Sequence, residues 1–191
     1  MKRAVILHGK DGHGHAHWFP WLKSRLEAKG YEVWVPDLPR AEEPDAERWT
    51  DFLFAARDWD FNDNLVIGHS AGAVEILQLA MALPEGVRLR AGILCGAFSQ
   101  ALPNDPEWHD LKRMFEPALA VEGTRHKAGS LVFVHAQNDP WCPLEQAEEM
   151  ASRFGGELVV LPEGQHFSTA LDPRFKEFPE LLTILEERSL I

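Results

Sequence analysis

The chain has 191 residues, 45% of them hydrophobic and 26% charged, enough for one domain spanning 1–191 with a core of its own. Its 30 acidic residues against 19 basic give a formal charge of -11. No run of Lys and Arg offers a phosphate backbone a footprint, so nucleic acid is excluded as an expected partner.

The opening MKRAVILHGKDG carries two charges ahead of a short apolar run, too little for a signal-peptide core or a membrane span. A cytoplasmic location is expected. AVIL (4–7) reads as the first strand and runs into LHGKDG, a loop whose amides can face a site at the strand end. Lys10 N–H is the preferred donor there and Asp11 N–H the reserve, with His8 and Gly9 shaping the turn.

WFPWLKSRLEAKG (18–30) has apolar residues at helical spacing and closes on Gly30, a C-cap candidate. YEVWVP (31–36) is the second strand, and a helix is expected at about 46–58. NLVIG (64–68) is the third strand, and GHSAG then breaks directly into an apolar helix at 71–83.

Gly68 and Gly72 flank Ser70 at the G-x-S-x-G spacing. A serine on so sharp a strand-to-helix turn holds a strained backbone, and small residues on either side let the two elements approach. The hydroxyl is then presented at the turn, and the Ala71 amide at the helix N-terminus faces any oxyanion forming beside it.

LRAGILCG (89–96) is the fourth strand, followed by an irregular stretch, 98–127, with Pro103, Pro106, Pro117 and a short amphipathic patch, WHDLKRMF. One or two small helices over the strand ends are expected there. SLVFVH (130–135), a helix at 144–154, ELVVLP (157–162) and a helix at 174–188 complete the pattern. Six short strands, apolar on both faces and alternating with helices, imply an α/β fold with a mostly parallel six-stranded sheet covered on both faces.

A serine needs a base, and the base needs an acid to orient it. His166 in EGQHF and Asp139 in HAQNDPWCP each lie just past a strand, in the chain order Ser, Asp, His. Asp37 and Glu163 compete as the acid, but Asp37 precedes the serine and Glu163 is three residues from His166. His69 is expected to point away from Ser70, while His109, His126 and His135 fall in the irregular stretch or a strand. Cys95 and Cys142, too few for a disulfide framework, read as buried thiols.

Two other readings stand beside this one. His8, His13, His15 and His17, with Asp11, could converge on a metal, although no established zinc spacing is present. A binding protein without turnover could instead use Trp18, Trp21, Trp108 and Trp141 as an aromatic surface, although Trp18 and Trp21 at helical spacing fit a core better.

GHSAG, NDPWCP and GQHF, with LHG near the start, resemble the α/β-hydrolase superfamily. HWFPWLKSRL (17–26) further resembles the small serine-hydrolase family that includes retinoblastoma-binding protein nine and its bacterial relatives. The resemblance implies a compact α/β-hydrolase fold without a large lid, a triad of Ser70, Asp139 and His166, oxyanion amides from Ala71 and Lys10, and esterase-like action on simple acyl substrates without cofactor or metal. The pocket-protein-binding segment of the vertebrate member has no counterpart around either cysteine, so that partner is not implied. The first two strands of larger α/β-hydrolases have no counterpart either.

Overall fold

The computed structural model describes residues 1–56, 58–99 and 108–191. Its six strands are β1 (Lys2–Leu7), β2 (Tyr31–Trp34), β3 (Leu65–His69), β4 (Leu89–Cys95), β5 (Ala128–Ala136) and β6 (Glu157–Leu161). They lie in the order β2-β1-β3-β4-β5-β6, and every neighbouring pair is parallel. The sheet is thus wholly rather than mostly parallel.

Alternation along each strand divides the core in two. Ala4 and Ile6 face one side with Leu22 and Leu26 of α1 (Phe19–Ala28) and Leu181 and Leu185 of α7 (Pro179–Glu187). Val5 and Leu7 face the other, with Leu53 of α2 (Ala46–Ala55), Val74 and Leu77 of α3 (Ala71–Ala82), and Met150 of α6 (Leu144–Phe154). A sheet buried on both faces needs apolar residues at consecutive positions, which is why the strands carry no polar alternation.

Two elements differ from expectation near their ends. The helix over 174–188 is split into a 3-10 turn, Pro173–Lys176, and α7. Pro179 is the cause, since the residue before a proline is pushed out of helical geometry, and Phe178 sits at φ -140. The helix at 46–58 stops at Ala55, and Ala56 takes ψ 85.

The stretch 98–127 contains α4 (Trp108–Leu111), a 3-10 turn at Lys112–Phe115 and α5 (Val121–Lys127). Gln78 of α3 fastens it by donating to Met114 O and Pro117 O. α5 packs on α3 and α6 and runs straight into β5, so this last part is a crossover at the far end of the sheet and not a cover over the strand ends. The part holding Pro103 and Pro106 lies outside the described residues. Among the described residues, no helix is long and apolar enough to cross a membrane.

Candidate active site

Because all strands run the same way, the loops after β1, β3, β4, β5 and β6 emerge at one edge of the sheet, where ligands of open α/β folds gather. Leu7 pairs with Gly68 and His69 with Cys95, which levels the ends of three neighbouring strands. Ser70, Asp139, His166 and Lys10 all follow such ends.

Ser70 is the N-cap of α3 and holds φ 56, ψ -122. A non-glycine residue in this region costs roughly 1–3 kcal/mol and persists only where its surroundings enforce it. They do so here. Ser70 N–H donates to Cys95 O at 2.9 Å, while Ala73 and Val74 donate back to Ser70 O. A Cβ on Gly68 would run into the Gly72 carbonyl, and one on Gly72 would stand 2.5 Å from His8 O and Leu7 O. Both flanking positions are therefore closed to any side chain by backbone, the physical basis of the motif.

Gly9 lies against the same serine, where a Cβ would be 2.7 Å from Ser70 Cβ. The loop after β1 is thus beside the turn. The Ala71 amide opens α3 and is one of those that a helix leaves without an intrahelical acceptor. Asp11 N–H donates to Ala41 O at 2.8 Å, which engages the reserve donor elsewhere. The Lys10 side chain pairs with Asp11 at 2.9 Å and lies 3.9 Å from Asp110 of α4.

His166 Nδ1 donates to Asp139 Oδ2 at 2.7 Å, with both side chains buried. Asp139 Oδ1 accepts the Trp141 and Cys142 amides at 2.9 Å each, so the carboxylate is fixed from both sides. The Trp141 ring, half exposed, stands edge-on to the imidazole at 5.0 Å. Gly96 follows β4 directly at φ +63, and a Cβ there would press to 3.0 Å of His166 Cε1. Asp37 Oδ1 instead accepts the Gly14 amide, which occupies the competing acid.

A second tier of side chains holds the His166 loop, and sequence reasoning passed over it. Asn138 Oδ1 accepts the Gly164 and Gln165 amides at 3.0 and 2.8 Å, tying that loop to the Asp139 loop. His69 Nε2 donates to His166 O at 2.7 Å, so the residue beside the serine also braces the His166 loop. His17 Nδ1 meets Thr169 through its amide and hydroxyl at 3.1 and 2.9 Å. The adjacency of Asn138 to Asp139 in NDPW, and of His69 to Ser70 in GHSAG, was the only signal.

Burial keeps the supporting histidines neutral. Desolvation, with His166 nearby, pushes His17 down to about 4 and His69 well below the ordinary histidine value. His8 and His135 are lowered for the same first reason. His8 uses both nitrogens, donating to Gly9 O at 2.9 Å and accepting from Leu38 N at 2.8 Å.

No three of His8, His13, His15, His17 and Asp11 bring ligand atoms together. Among the described residues one group does, Asp139, Cys142 and His166, whose ligand atoms all lie within 4.8 Å of one another. Of the proposed aromatic surface, Trp18 is fully buried, while the Trp108 side chain lies outside the described residues.

Residues 4–187 match the protein family described as serine hydrolase. The chain belongs to that family. It is similar to YdeN of Bacillus subtilis strain 168, with 26% identity over 96% of this chain and 94% of that protein. The serine hydrolase RBBP9 of Rattus norvegicus is 24% identical over the same shares. The crystal structure of the B. subtilis ydeN gene product superposes with a TM-score of 0.87 over 98% of both chains at 24% identity. Est1E of Butyrivibrio proteoclasticus with ferulic acid bound gives 0.70 at 17% identity, covering 99% of this chain and 90% of that one. The α/β-hydrolase fold of these neighbours is the fold of this serine hydrolase, an enzyme of the hydrolase class.

Proposed function

We propose that this serine hydrolase cleaves small acyl esters or thioesters through an acyl-enzyme, with Ser70 as nucleophile, His166 as base and Asp139 as the acid that orients it. The observation that carries the reading is the buried 2.7 Å pair of His166 and Asp139 on the sheet edge that also carries Ser70 at its strained turn. A structural neighbour described as an esterase, EaEST of Exiguobacterium antarcticum, supports the same reaction class.

His166 Nε2 takes the proton of Ser70 as Oγ attacks the carbonyl carbon, and the Ala71 and Lys10 amides receive the carbonyl oxygen as it becomes an oxyanion. The imidazolium then protonates the departing alcohol or thiol. Water repeats the steps in reverse roles: His166 takes its proton, and Ser70 leaves with that proton as the acid is released. Asp139 stays ionised throughout, holding Nδ1–H so that Nε2 carries the lone pair. The route uses no cofactor and no metal. Cys95 and Cys142 form no disulfide and are both buried, which fits a reducing compartment such as the cytoplasm.

Short-chain nitrophenyl esters test this reading. Wild type should turn them over, and Ser70→Ala and His166→Ala should each lose about a thousandfold or more in kcat, because members of one catalytic unit fail together. A Ser70→Ala variant with near-normal kcat would refute the assignment.

A further inference from the structure

We propose that Asp139, Cys142 and His166 form an inhibitory site for a thiophilic divalent cation of the zinc class. The inhibition rests on the proposed role of His166; the binding does not.

The donor set is one carboxylate oxygen, one thiol sulfur and one imidazole nitrogen, within 4.8 Å of one another. A tetrahedral zinc ion binds such donors at about 2.0–2.3 Å, which places its ligands roughly 3.3–3.8 Å apart. The three atoms need only a small contraction around an ion, together with a slight opening of the 2.7 Å contact between His166 and Asp139. Three protein ligands and one open position are also the stoichiometry of an accessible zinc site.

The surroundings already brace two of the ligands. Asp139 Oδ1 is engaged by the Trp141 and Cys142 amides, which leaves Oδ2 as the oxygen to turn toward an ion. His135 donates to Cys142 O at 2.8 Å and so holds the backbone that carries the thiol. The chain from 139 to 142 is a tight turn in which one carboxylate gathers two amides, and this places a thiol next to the acid.

Binding exchanges protons for metal. At neutral pH the thiol of Cys142 releases its proton to solvent, His166 stays a neutral imidazole by carrying its one proton on Nε2 in place of Nδ1, and the carboxylate is already ionised. The ion then stands where the hydrogen bond stood, and His166 can no longer be oriented by Asp139 or carry charge as a base. Metal and acyl transfer therefore compete for one imidazole. Affinity falls as pH is lowered, because the ligands reprotonate.

The test uses the purified full chain, stripped with a chelator and titrated with cobalt(II) as the spectroscopic substitute. A near-ultraviolet thiolate-to-cobalt band should appear in wild type and Cys95→Ser and be missing from Cys142→Ser and Cys142→Ala, with circular dichroism verifying that each folds. Cobalt held only by the exposed His13 and His15 gives no sulfur band. Zinc should suppress fluorophosphonate labelling of Ser70 in wild type, reversibly with chelator. Each cysteine variant, referred to its own metal-free rate, should need at least about tenfold more zinc, the loss that even outer partners of a metal inflict.

A folded wild type without the band, or a band that survives in both Cys142 variants, overturns the site. A band without suppression of labelling overturns the inhibition. Failure of Ser70 to label in the metal-free chain would count against the hydrolase mechanism instead, and the cobalt band would still decide the cation site.

Discussion

A methyl group on Gly96 would stand 3.0 Å from His166 Cε1 at a backbone φ of +63, so the smallest possible change tests how closely the imidazole is placed. Gly96→Ala should lower kcat about 10- to 100-fold, the cost of displacing a reacting group by roughly an ångström, while substrate affinity changes little. Steady-state kinetics on a nitrophenyl ester separate the two effects. Asp139→Asn leaves an oxygen for the Trp141 and Cys142 amides but presents an amide to His166, favouring the wrong tautomer. Its kcat should fall roughly a thousandfold or more with the fold retained. An Asp139→Asn enzyme within tenfold of wild type would mean that another group orients His166.

At the scale of elements, the loops after β5 and β6 are joined by one side chain. Asn138→Ala removes the acceptor for the Gly164 and Gln165 amides and leaves two N–H groups to find water, at a cost of about 1–3 kcal/mol. Amide exchange should quicken at Gly164 and Gln165 and stay unchanged in the middle of β3, with hydrogen-exchange mass spectrometry as the check. Equal protection in both proteins would show that the loop holds itself.

This coupling also marks what could be read in advance. The strands, the turn at Ser70 and the positions of Asp139 and His166 are local: apolar runs, a glycine spacing, and a polar residue just past a strand. Asn138, His69 and Gly96 take their roles from contacts between loops far apart in the chain, and neither propensity nor spacing reports those. Pro179 was readable as a helix breaker, and a helix over 174–188 ran through it; the proline's steric rule outweighed the apolar period. Similarly, the 98–127 stretch does not stay at the strand ends, because α5 has to bring the chain back to the start of β5.

For the whole molecule, the buried histidines set a pH limb of stability. His8, His17, His69 and His135 are neutral in the fold and ordinary in the unfolded chain. Their contribution is fully present above the unfolded value of about 6.5 and is lost as pH falls, down to about 4 for His17. The urea midpoint should therefore drop between pH 7 and pH 4.5. His17→Gln, whose amide oxygen can still accept from Thr169 N–H, should show a shallower drop. Buried Glu75 acts in the opposite sense, since desolvation raises its pKa well above the usual carboxylate value and favours its protonated form. Comparing the two proteins at each pH isolates the histidine. Parallel profiles would contradict a neutral His17.

At the same scale, two apolar layers and a parallel sheet bring Ser70, Asp139 and His166 from positions 96 residues apart in the chain to one edge. The most direct test of the account is the intact mass of the protein after exposure to a fluorophosphonate, wild type beside Ser70→Ala, each with and without chelator. The account predicts a single adduct on wild type, none on Ser70→Ala, and labelling of wild type that a chelator does not abolish. An unlabelled wild type that is well folded, or an adduct that persists in Ser70→Ala, would contradict it.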